Sequence, residues 1–218
     1  MKAVVFDLDG TLIDSAPDLH AAAVAMLRDL GRPAITLDQA VSFIGNGLQR
    51  LVELCLDATG GRPDVAAQKH AQDLLLSYYN RGGGALTRIY PGAIDVLDTL
   101  QAAGLPMGIC TNKPGAATKI VLGKLGLEPY FQAVVSADTL AQRKPDPAPL
   151  LHCLEQLGTL PEQAIMIGDS EVDAATARAA GVPFALSTQG YRKGPIEAMQ
   201  IVFTFDDFAD LGAYLKSR

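Results

Sequence analysis

Apolar residues recur along the chain with two periods, one typical of strands and one typical of helices. Short apolar runs, of which residues 3–6 are the first, are typical of strands buried on both faces of a parallel sheet. Stretches with apolar residues three or four positions apart, such as residues 17–30, indicate amphipathic helices. Beyond residue 90 the two patterns alternate. Strands are predicted over residues 106–110, 133–136, 164–167, 183–186 and 201–203, and helices over residues 91–103, 115–125, 148–157, 172–180 and 208–216. This alternation predicts an α/β fold, a Rossmann-like parallel sheet with helices on both faces.

The stretch between the first strand and residue 85 has helical periodicity alone. Helices are predicted over residues 17–30, from Thr36, over residues 48–56 and over residues 64–79, with Gly- or Pro-containing breaks between them. An ordinary connection between two strands is much shorter. We therefore expect an inserted helical cap domain over residues 16–81, a core domain made of residues 1–15 and 82–218, and hinges at residues 14–17 and 82–84.

Two aspartates, Asp7 and Asp9, follow the first predicted strand, and Gly10 and Thr11 come directly after them. In open α/β sheets, ligands bind beyond the carboxyl ends of the strands. Buried carboxylates without a partner are unfavourable, and a hard cation such as Mg²⁺ is the partner that carboxylate oxygens suit. The alternative is a strand that simply ends in a turn capped by the Asp-Gly pair.

Three later strand ends also carry polar residues. They are Thr111, Asn112 and Lys113 after one strand, Lys144 after the next, and Asp169 and Asp173 after a third. With Asp7 and Asp9, the four ends carry Asp-x-Asp, Thr, Lys and Asp-x-x-x-Asp in chain order. In these four motifs, and over nearly its whole length, the sequence resembles the haloacid dehalogenase superfamily phosphatases. The resemblance implies their fold with a helical cap, and a Mg²⁺-dependent phosphomonoester hydrolase that acts through an aspartyl-phosphate.

The resemblance also implies a role for each motif residue. Asp7 would be the nucleophile, and Asp9 would protonate the leaving alcohol and then activate water. Thr111 and the backbone N–H groups around Asn112 would bind the phosphate, and Lys144 would offset its negative charge. Considered alone, residues such as Thr111 and Asn112 cap a helix more often than they bind a ligand, and Lys144 would be a solvated charge.

For the metal, the resemblance implies a Mg²⁺ ion bound by the side chain of Asp7, the backbone carbonyl of Asp9 and the side chain of Asp169. Asp173 would bind it directly or through water. The alternative for Asp173 is an early-helix charge that interacts favourably with the helix dipole.

A closer resemblance indicates the phosphoglycolate phosphatases as the subgroup of the superfamily to which this sequence is most similar. It rests on residues 14–19, 43–47, 90–92, 111–114 and 143–145, whereas residues 187–191 depart from the usual pattern. Gly45, Asn46 and Gly47, with Arg50 one turn on, could bind a substrate carboxylate through backbone N–H groups and charge. The alternative is an ordinary turn between two helices. The other functions considered are a phosphatase for a sugar phosphate, a nucleotide or pyrophosphate, and a binding module without catalysis.

Composition and net charge limit the kinds of binding partner that we expect. The net charge is −6 and no Lys/Arg cluster is present, which argues against nucleic acid or an anionic membrane surface. The expected partner is a small anionic phosphate ester, and the expected assembly is a monomer or homodimer. No apolar run is long enough to cross a membrane, and because the first predicted strand begins at residue 3 we expect no cleavable leader. Three cysteines without paired spacing favour buried thiols in a reducing cytoplasm.

Overall fold

The computed structural model describes residues 1–217. Its strands are β1 (Ala3–Phe6), β2 (Ile13–Asp14), β3 (Arg88–Ile89), β4 (Met107–Cys110), β5 (Ala133–Val135), β6 (Ala164–Gly168), β7 (Phe184–Ser187) and β8 (Phe203–Phe205). Its helices are α1 (Ala16–Asp29), α2 (Leu37–Phe43), α3 (Gly47–Ala58), α4 (Val65–Gly82), α5 (Ala93–Ala102), α6 (Gly115–Leu125), α7 (Ala148–Gln156), α8 (Glu171–Ala180) and α9 (Phe208–Lys216). Six strands form one sheet in the order β5-β4-β1-β6-β7-β8, and all its neighbouring strands are parallel. The predicted α/β fold is confirmed.

Helices cover both faces of the sheet, so β1 is buried along its whole length. Val4 and Phe6 belong to a hydrophobic cluster with residues of α5, α6 and α9, whereas Ala3 and Val5 belong to one with residues of α7 and α8. β1 lies between β4 and β6 in the sheet. The residues that follow these three strands therefore meet at the carboxyl edge of the sheet.

The last strand differs from its prediction. β8 spans Phe203–Phe205, whereas the apolar run predicted a strand over residues 201–203. Contacts with α9 explain the shift, because the ring of Phe203 stacks on Tyr214 with centroids 4.2 Å apart, and Phe205 meets Phe208 edge-on at 5.3 Å. Val202, inside the predicted range, is half exposed. Packing against the terminal helix, rather than local hydrophobicity, sets the position of this strand.

Helices α1–α4, which we call the helical segment (residues 16–82), lie between β2 and β3 and share a hydrophobic cluster to which Ala117 and Tyr191 also belong. α2 begins with a capping box in which Thr36 and Gln39 satisfy each other's backbone N–H groups. Asp64 caps α4, and Gly83 ends that helix with φ of 57°, a left-handed conformation that glycine adopts without strain. The predicted helices of this region are thus present, with α4 extending a few residues further than expected.

A two-stranded antiparallel ribbon, β2 with β3, joins the ends of the helical segment to the sheet, and the sequence pattern did not predict it. The buried Asp18 of α1 ties the ends together a second time. Its Oδ2 accepts hydrogen bonds from the N–H groups of Leu86 (3.0 Å) and Thr87 (2.6 Å) and from the Thr87 hydroxyl (2.6 Å). The chain therefore enters and leaves the helical segment at one place, close to the end of β1.

Two remaining expectations concern the cysteines and membrane-spanning helices. Cys55, Cys110 and Cys153 are buried free thiols, as predicted. Among residues 1–217, no helix combines the length and the apolar character needed to cross a bilayer.

Candidate active site

The motif residues converge where the central strands end. The N–H of Asp7 donates to Ile167 at the end of β6, and the N–H of Thr111 donates to Val135 at the end of β5. These backbone hydrogen bonds continue the parallel pairing one residue beyond the strands. Asp7, Thr111 and Asp169 therefore stand side by side on one edge of the sheet, as the sequence predicted for residues that follow adjacent parallel strands.

Three buried carboxylates form a cluster at this edge. Asp7, Asp169 and Asp173 each offer an oxygen, and these oxygens lie within 4.8 Å of one another. Burial raises the pKa of Asp7 to about 6, opposed by Lys144 and reinforced by the Asp173 carboxylate. Burial, with the neighbouring charges of Asp173 and Asp7, also raises the pKa of Asp169 well above its ordinary value. Negative charge is therefore crowded here beyond what the protein's own groups compensate.

A hard divalent cation fits this donor set. Oδ1 of Asp7 is buried and accepts no well-aligned hydrogen bond from residues 1–217, although the Lys144 ammonium lies 2.8 Å away. Asp169 is better supported, because Thr11 donates to its Oδ1 at 3.0 Å and the N–H of Tyr191 donates to its Oδ2 at 2.6 Å. Gly10 is required beside it, since a Cβ there would collide with the Asp169 carboxylate. Oriented carboxylate oxygens with unmet charge are what Mg²⁺ binds.

Lys144 lies inside the acidic cluster. Its Nζ is 2.8 Å from Oδ1 of Asp7 and 2.6 Å from Oδ1 of Asp173, and its side chain is 3% exposed. Burial alone would lower the pKa of this lysine, but the carboxylates of Asp173 and Asp7 raise it above its ordinary value. Lys144 is therefore a fixed positive charge directly beside the predicted nucleophile.

Asp173 lies in the first turn of α8 and also belongs to the acidic cluster. Its Oδ2 accepts from the hydroxyl of Ser170 at 2.6 Å in a capping box at the start of α8, while Oδ1 binds Lys144. It is at the same time a member of the acidic cluster. Direct contact between Asp173 and a metal stays a prediction.

Asp9 is held by different partners. Its Oδ1 accepts from the Ser15 hydroxyl at 2.5 Å, and the Lys113 ammonium binds both its oxygens, at 2.7 and 3.0 Å. The side chain is thus not part of the three-carboxylate cluster, which agrees with a role for its backbone carbonyl, rather than its carboxylate, at the metal.

The sequence did not predict the contacts that Lys113 makes in the fold. It is buried, and besides Asp9 it donates to the hydroxyl of Tyr79 on α4 at 2.6 Å. Burial alone would lower its pKa, but Asp9 and Tyr79 raise it. The only sequence signal was its place two residues after Thr111 at a strand end. That signal could not show a contact with the helical segment.

A cavity lies between the sheet edge and the helical segment. The sheet side contributes Asp7, Asp9, Thr111, Asn112, Lys113, Pro114 and Lys144, and the helical segment contributes Leu19, Ile44, Gly45, Gly47, Leu48, Leu51 and Tyr79. One wall is therefore charged and polar, and the opposite wall is mostly apolar with backbone groups of the Gly45–Gly47 turn. A Cβ at Gly47 would lie 3.6 Å from the carbonyl oxygen of Asn112, so any side chain at this position would contact the opposite wall.

Two residues predicted to contact substrate lie away from this cavity. Asn46 is exposed, and the guanidinium of Arg50 pairs with Glu53 at 2.9 Å on the exposed side of α3. Neither residue is among those that line the cavity. The structure brings together the predicted residues of the sheet edge with Gly45 and Gly47. It leaves Asn46 and Arg50 outside this group.

A parallel sheet that carries Asp-x-Asp, Thr, Lys and an acidic pair on its strand ends, opposite an inserted helical segment, defines a class of hydrolase. The sequence pattern of the haloacid dehalogenase-like hydrolases matches residues 4–187. The chain therefore belongs to this family, and the prediction of an enzyme, a phosphatase of that superfamily, is confirmed.

Curated relatives and solved structures agree with this family. A phosphoglycolate phosphatase of Cereibacter sphaeroides is 45% identical over 199 residues, which cover 91% of this chain and 90% of that protein. One of Rhodospirillum rubrum is 43% identical over 220 residues, covering 98% of this chain and 90% of that protein. A crystal structure described as a predicted phosphoglycolate phosphatase from Haemophilus somnus superposes with a TM-score of 0.93 at 30% identity, over 99% of this chain and 98% of that one.

Proposed function

We propose that this enzyme hydrolyses 2-phosphoglycolate through an aspartyl-phosphate formed on Asp7. The observation that carries the chemistry is the position of Asp7, which lines the cavity, pairs with Lys144 and belongs to the acidic cluster. The names of the relatives support the substrate. Their similarity extends over nearly the whole chain, so it includes the helical segment as well as the sheet.

The groups around Asp7 fit the first half of this reaction. A free oxygen of Asp7 attacks phosphorus, the bond from phosphorus to the glycolate oxygen breaks, and Asp9, which is protonated at this stage, gives its proton to that oxygen. Thr111 is prepared to donate to a phosphate oxygen, because its hydroxyl oxygen accepts from the N–H of Lys113 at 3.2 Å and its proton remains available. Lys144 stabilises the negative charge that passes between Asp7 and the phosphate.

The second half returns the enzyme to its starting state. Asp9, now a carboxylate held by Ser15 and Lys113, accepts a proton from the attacking water. The bond between Asp7 and phosphorus then breaks and phosphate leaves. The same side chain acts as acid and as base, so its fixed orientation beside the cavity serves both steps.

We propose Mg²⁺ as the cofactor, bound by the side chains of Asp7 and Asp169 and by the backbone carbonyl of Asp9, with Asp173 as a direct or water-mediated ligand. The raised pKa values of Asp7 and Asp169 support this assignment, because a cation is the partner that the crowded carboxylates lack. When bound, the ion would neutralise charge on the phosphate oxygens and so lower the repulsion that Asp7 meets.

We propose further that residues 16–81 are a cap domain that closes over a core of residues 1–15 and 82–218. The separate hydrophobic cluster of the helical segment and its two adjacent connections to the sheet support this division. Gly45 and Gly47, which line the cavity, would present N–H groups to the substrate carboxylate. Asn46 and Arg50 are proposed to assist, Arg50 after release from Glu53.

The net charge of −6 and the free buried cysteines support the remaining proposals. These are a cytoplasmic enzyme, a monomer or homodimer, that takes small anionic esters and binds neither nucleic acid nor membranes.

A panel of phosphate esters compared by kcat/KM tests the proposed substrate. We expect 2-phosphoglycolate to exceed sugar phosphates, nucleotides and pyrophosphate by at least about tenfold, since recognition of a small charged group gives discrimination of this size or more. Activity should disappear on chelation and return with Mg²⁺ but not Ca²⁺, because Ca²⁺ accepts extra oxygen ligands and can hold Asp7 away from attack. A better substrate without a carboxylate would contradict the substrate, and full activity after exhaustive chelation would contradict the cofactor.

A further inference from the structure

One loop contacts three parts of the molecule that the proposed reaction uses together. This loop, residues 188–194 after β7, is called the β7 loop below. It contacts Asp169 in the acidic cluster, the start of α1 where the chain enters the helical segment, and the carbonyl of Ile44 beside the Gly45–Gly47 turn. The side chains of this loop have no role in the proposed reaction steps.

The backbone of the β7 loop packs directly on Asp169. The N–H of Tyr191 donates to Oδ2 of this aspartate at 2.6 Å. Gly190 is packed on the same side chain, because a Cβ at this position would collide with Cβ and Oδ2 of Asp169. The loop therefore fixes the orientation of a proposed metal ligand through backbone groups alone.

The side chain of Tyr191 reaches in the other direction, to the beginning of α1. Its hydroxyl oxygen accepts from the N–H groups of Ser15 (2.9 Å) and Ala16 (3.1 Å), and the hydroxyl donates to Oδ1 of Asp14 (2.7 Å). The ring is 7% exposed and packs in the hydrophobic cluster of the helical segment. α1 has no side-chain cap from Ser15, and this distant phenol helps to satisfy its first N–H groups, together with Oδ1 of Asp14, which lies 3.2 Å from the N of Ala16.

Lys193 makes the third contact. Its Nζ donates to the carbonyl oxygen of Ile44 at 2.7 Å, one residue before the Gly45–Gly47 turn. Glu171 on α8 holds the backbone here by accepting from the N–H groups of Lys193 (2.7 Å) and Gly194. The β7 loop is thus anchored on the core and contacts the helical segment both at its beginning and at its cavity-facing turn.

We propose that Tyr191 is a positioning residue for the reaction, which fixes the entry to the cap relative to Asp169 so that the cap closes in register with the metal site. Lys193 fixes the Gly45–Gly47 turn in the same way. The inference rests on the proposed cap and metal site, but not on the identity of the substrate. Its physical basis is that one short loop, anchored by its hydrogen bonds to Asp169 and Glu171, holds the helical segment at two points, the start of α1 and the carbonyl of Ile44.

The test uses Tyr191→Phe, which removes the hydroxyl and keeps the backbone N–H to Asp169. Amide exchange of the Mg²⁺-free protein, resolved by NMR, should accelerate about tenfold at Ser15 and Ala16, the effect of losing one net hydrogen bond. KM for the best ester of the panel should rise by a similar factor while kcat changes less than about threefold. The Mg²⁺ dissociation constant, measured by calorimetry, should stay within about twofold.

Two further variants separate the loop's functions. Lys193→Met should raise KM in the same way and leave exchange at Ser15 and Ala16 unchanged. Gly190→Ala should instead weaken Mg²⁺ binding, because its Cβ displaces Asp169. Tyr130→Phe is the matched control, since it removes a phenol that donates to Asp98 at 2.6 Å on the exposed surface, and it should change none of these quantities.

Unchanged exchange at Ser15 and Ala16 in Tyr191→Phe would overturn the inference. So would faster exchange with an unchanged KM, which would leave the phenol a purely structural role. A loss of Mg²⁺ affinity equal to the change in KM would also overturn it, because the phenol would then act through the metal site. If 2-phosphoglycolate is not the best ester, the proposed substrate fails, yet exchange, Mg²⁺ binding and KM for the ester that is best still decide the role of Tyr191.

Discussion

The two walls of the cavity are built on different physical principles. On the sheet side, ionised groups are buried and paired: Lys144 lies between Asp7 and Asp173, and Lys113 binds Asp9. On the helical side, leucine side chains and the backbone of the Gly45–Gly47 turn face the same cavity. Arg50, the charged residue of this side that is predicted to bind substrate, is half exposed. Fixed buried charge suits bond-making chemistry, whereas an apolar wall with a few backbone donors suits selection by shape.

This contrast gives the two walls different expected mutant phenotypes. Changes on the sheet side should affect every phosphate ester alike, since all of them present the same reacting group. Changes on the helical side should affect substrates according to their other substituents.

Asp7→Asn should abolish turnover of every ester, by roughly 10⁴-fold or more, because the amide cannot form the acyl phosphate. Rapid quenching with labelled substrate should trap phosphate on the wild-type chain and none on the variant. Asp98→Asn, which alters an exposed carboxylate that accepts from Tyr130, is the matched control and should behave as wild type. Label found on a residue other than Asp7 would contradict the assignment of the nucleophile.

Lys144→Ala should lower kcat/KM by roughly 10²-fold, again for all esters, because it removes the charge beside the nucleophile. Lys119→Ala on the exposed face of α6 controls for loss of a lysine. A loss confined to substrates with a carboxylate would contradict the proposed division between the two walls, because Lys144 would then bind the substrate carboxylate.

The acidic cluster should also make the Mg²⁺-free protein less stable as the pH rises. The pKa of Asp7 is about 6 in the folded protein, against 3.8 for an aspartate in water, so the folded state binds more protons between these values. Stability should therefore fall between about pH 4 and 6, by about 3 kcal/mol for this group at most. Asp7→Asn should flatten this part of the profile, and Mg²⁺ at neutral pH should restore stability. Denaturant unfolding across this range measures the effect, and a profile that rises with pH would contradict it.

The sheet side could be predicted from the sequence because each of its residues follows a buried strand. Apolar runs locate such strands, and parallel strands bring their carboxyl ends to one edge, so Asp7, Thr111 and Asp169 needed no long-range information. The contacts of Lys113 with Tyr79, and of Tyr191 with Ser15, could not be predicted in this way. They depend on how the helical segment and the β7 loop lie against the sheet, which no local period encodes.

Two features that the sequence did not predict have local causes. The β2–β3 ribbon has two residues per strand, too few for an alternating pattern to be visible. The second is the ion pair of Arg50, a residue that is predicted to contact substrate because it follows the Gly45–Gly47 turn by about one turn of helix. In the same helix Glu53 lies three residues further on, a spacing at which side chains meet, and the structure contains this ion pair.

The smallest expected effect concerns the helical side, and it tests whether the turn selects substrate. Arg50→Ala removes a charge that now binds Glu53, and Asn46→Pro removes an N–H at the start of α3. If the turn binds the substrate carboxylate, each should raise KM for 2-phosphoglycolate by about three- to tenfold, the value of one charge-assisted hydrogen bond reduced by solvent. Hydrolysis of p-nitrophenyl phosphate, which lacks a carboxylate, should change little. Arg62→Ala is a suitable control, because Arg62 also pairs with Glu53, at 3.2 Å, but is not part of α3. Equal losses for both esters would show that the turn serves closure in general, and the contrast between the two walls would then not extend to substrate selection.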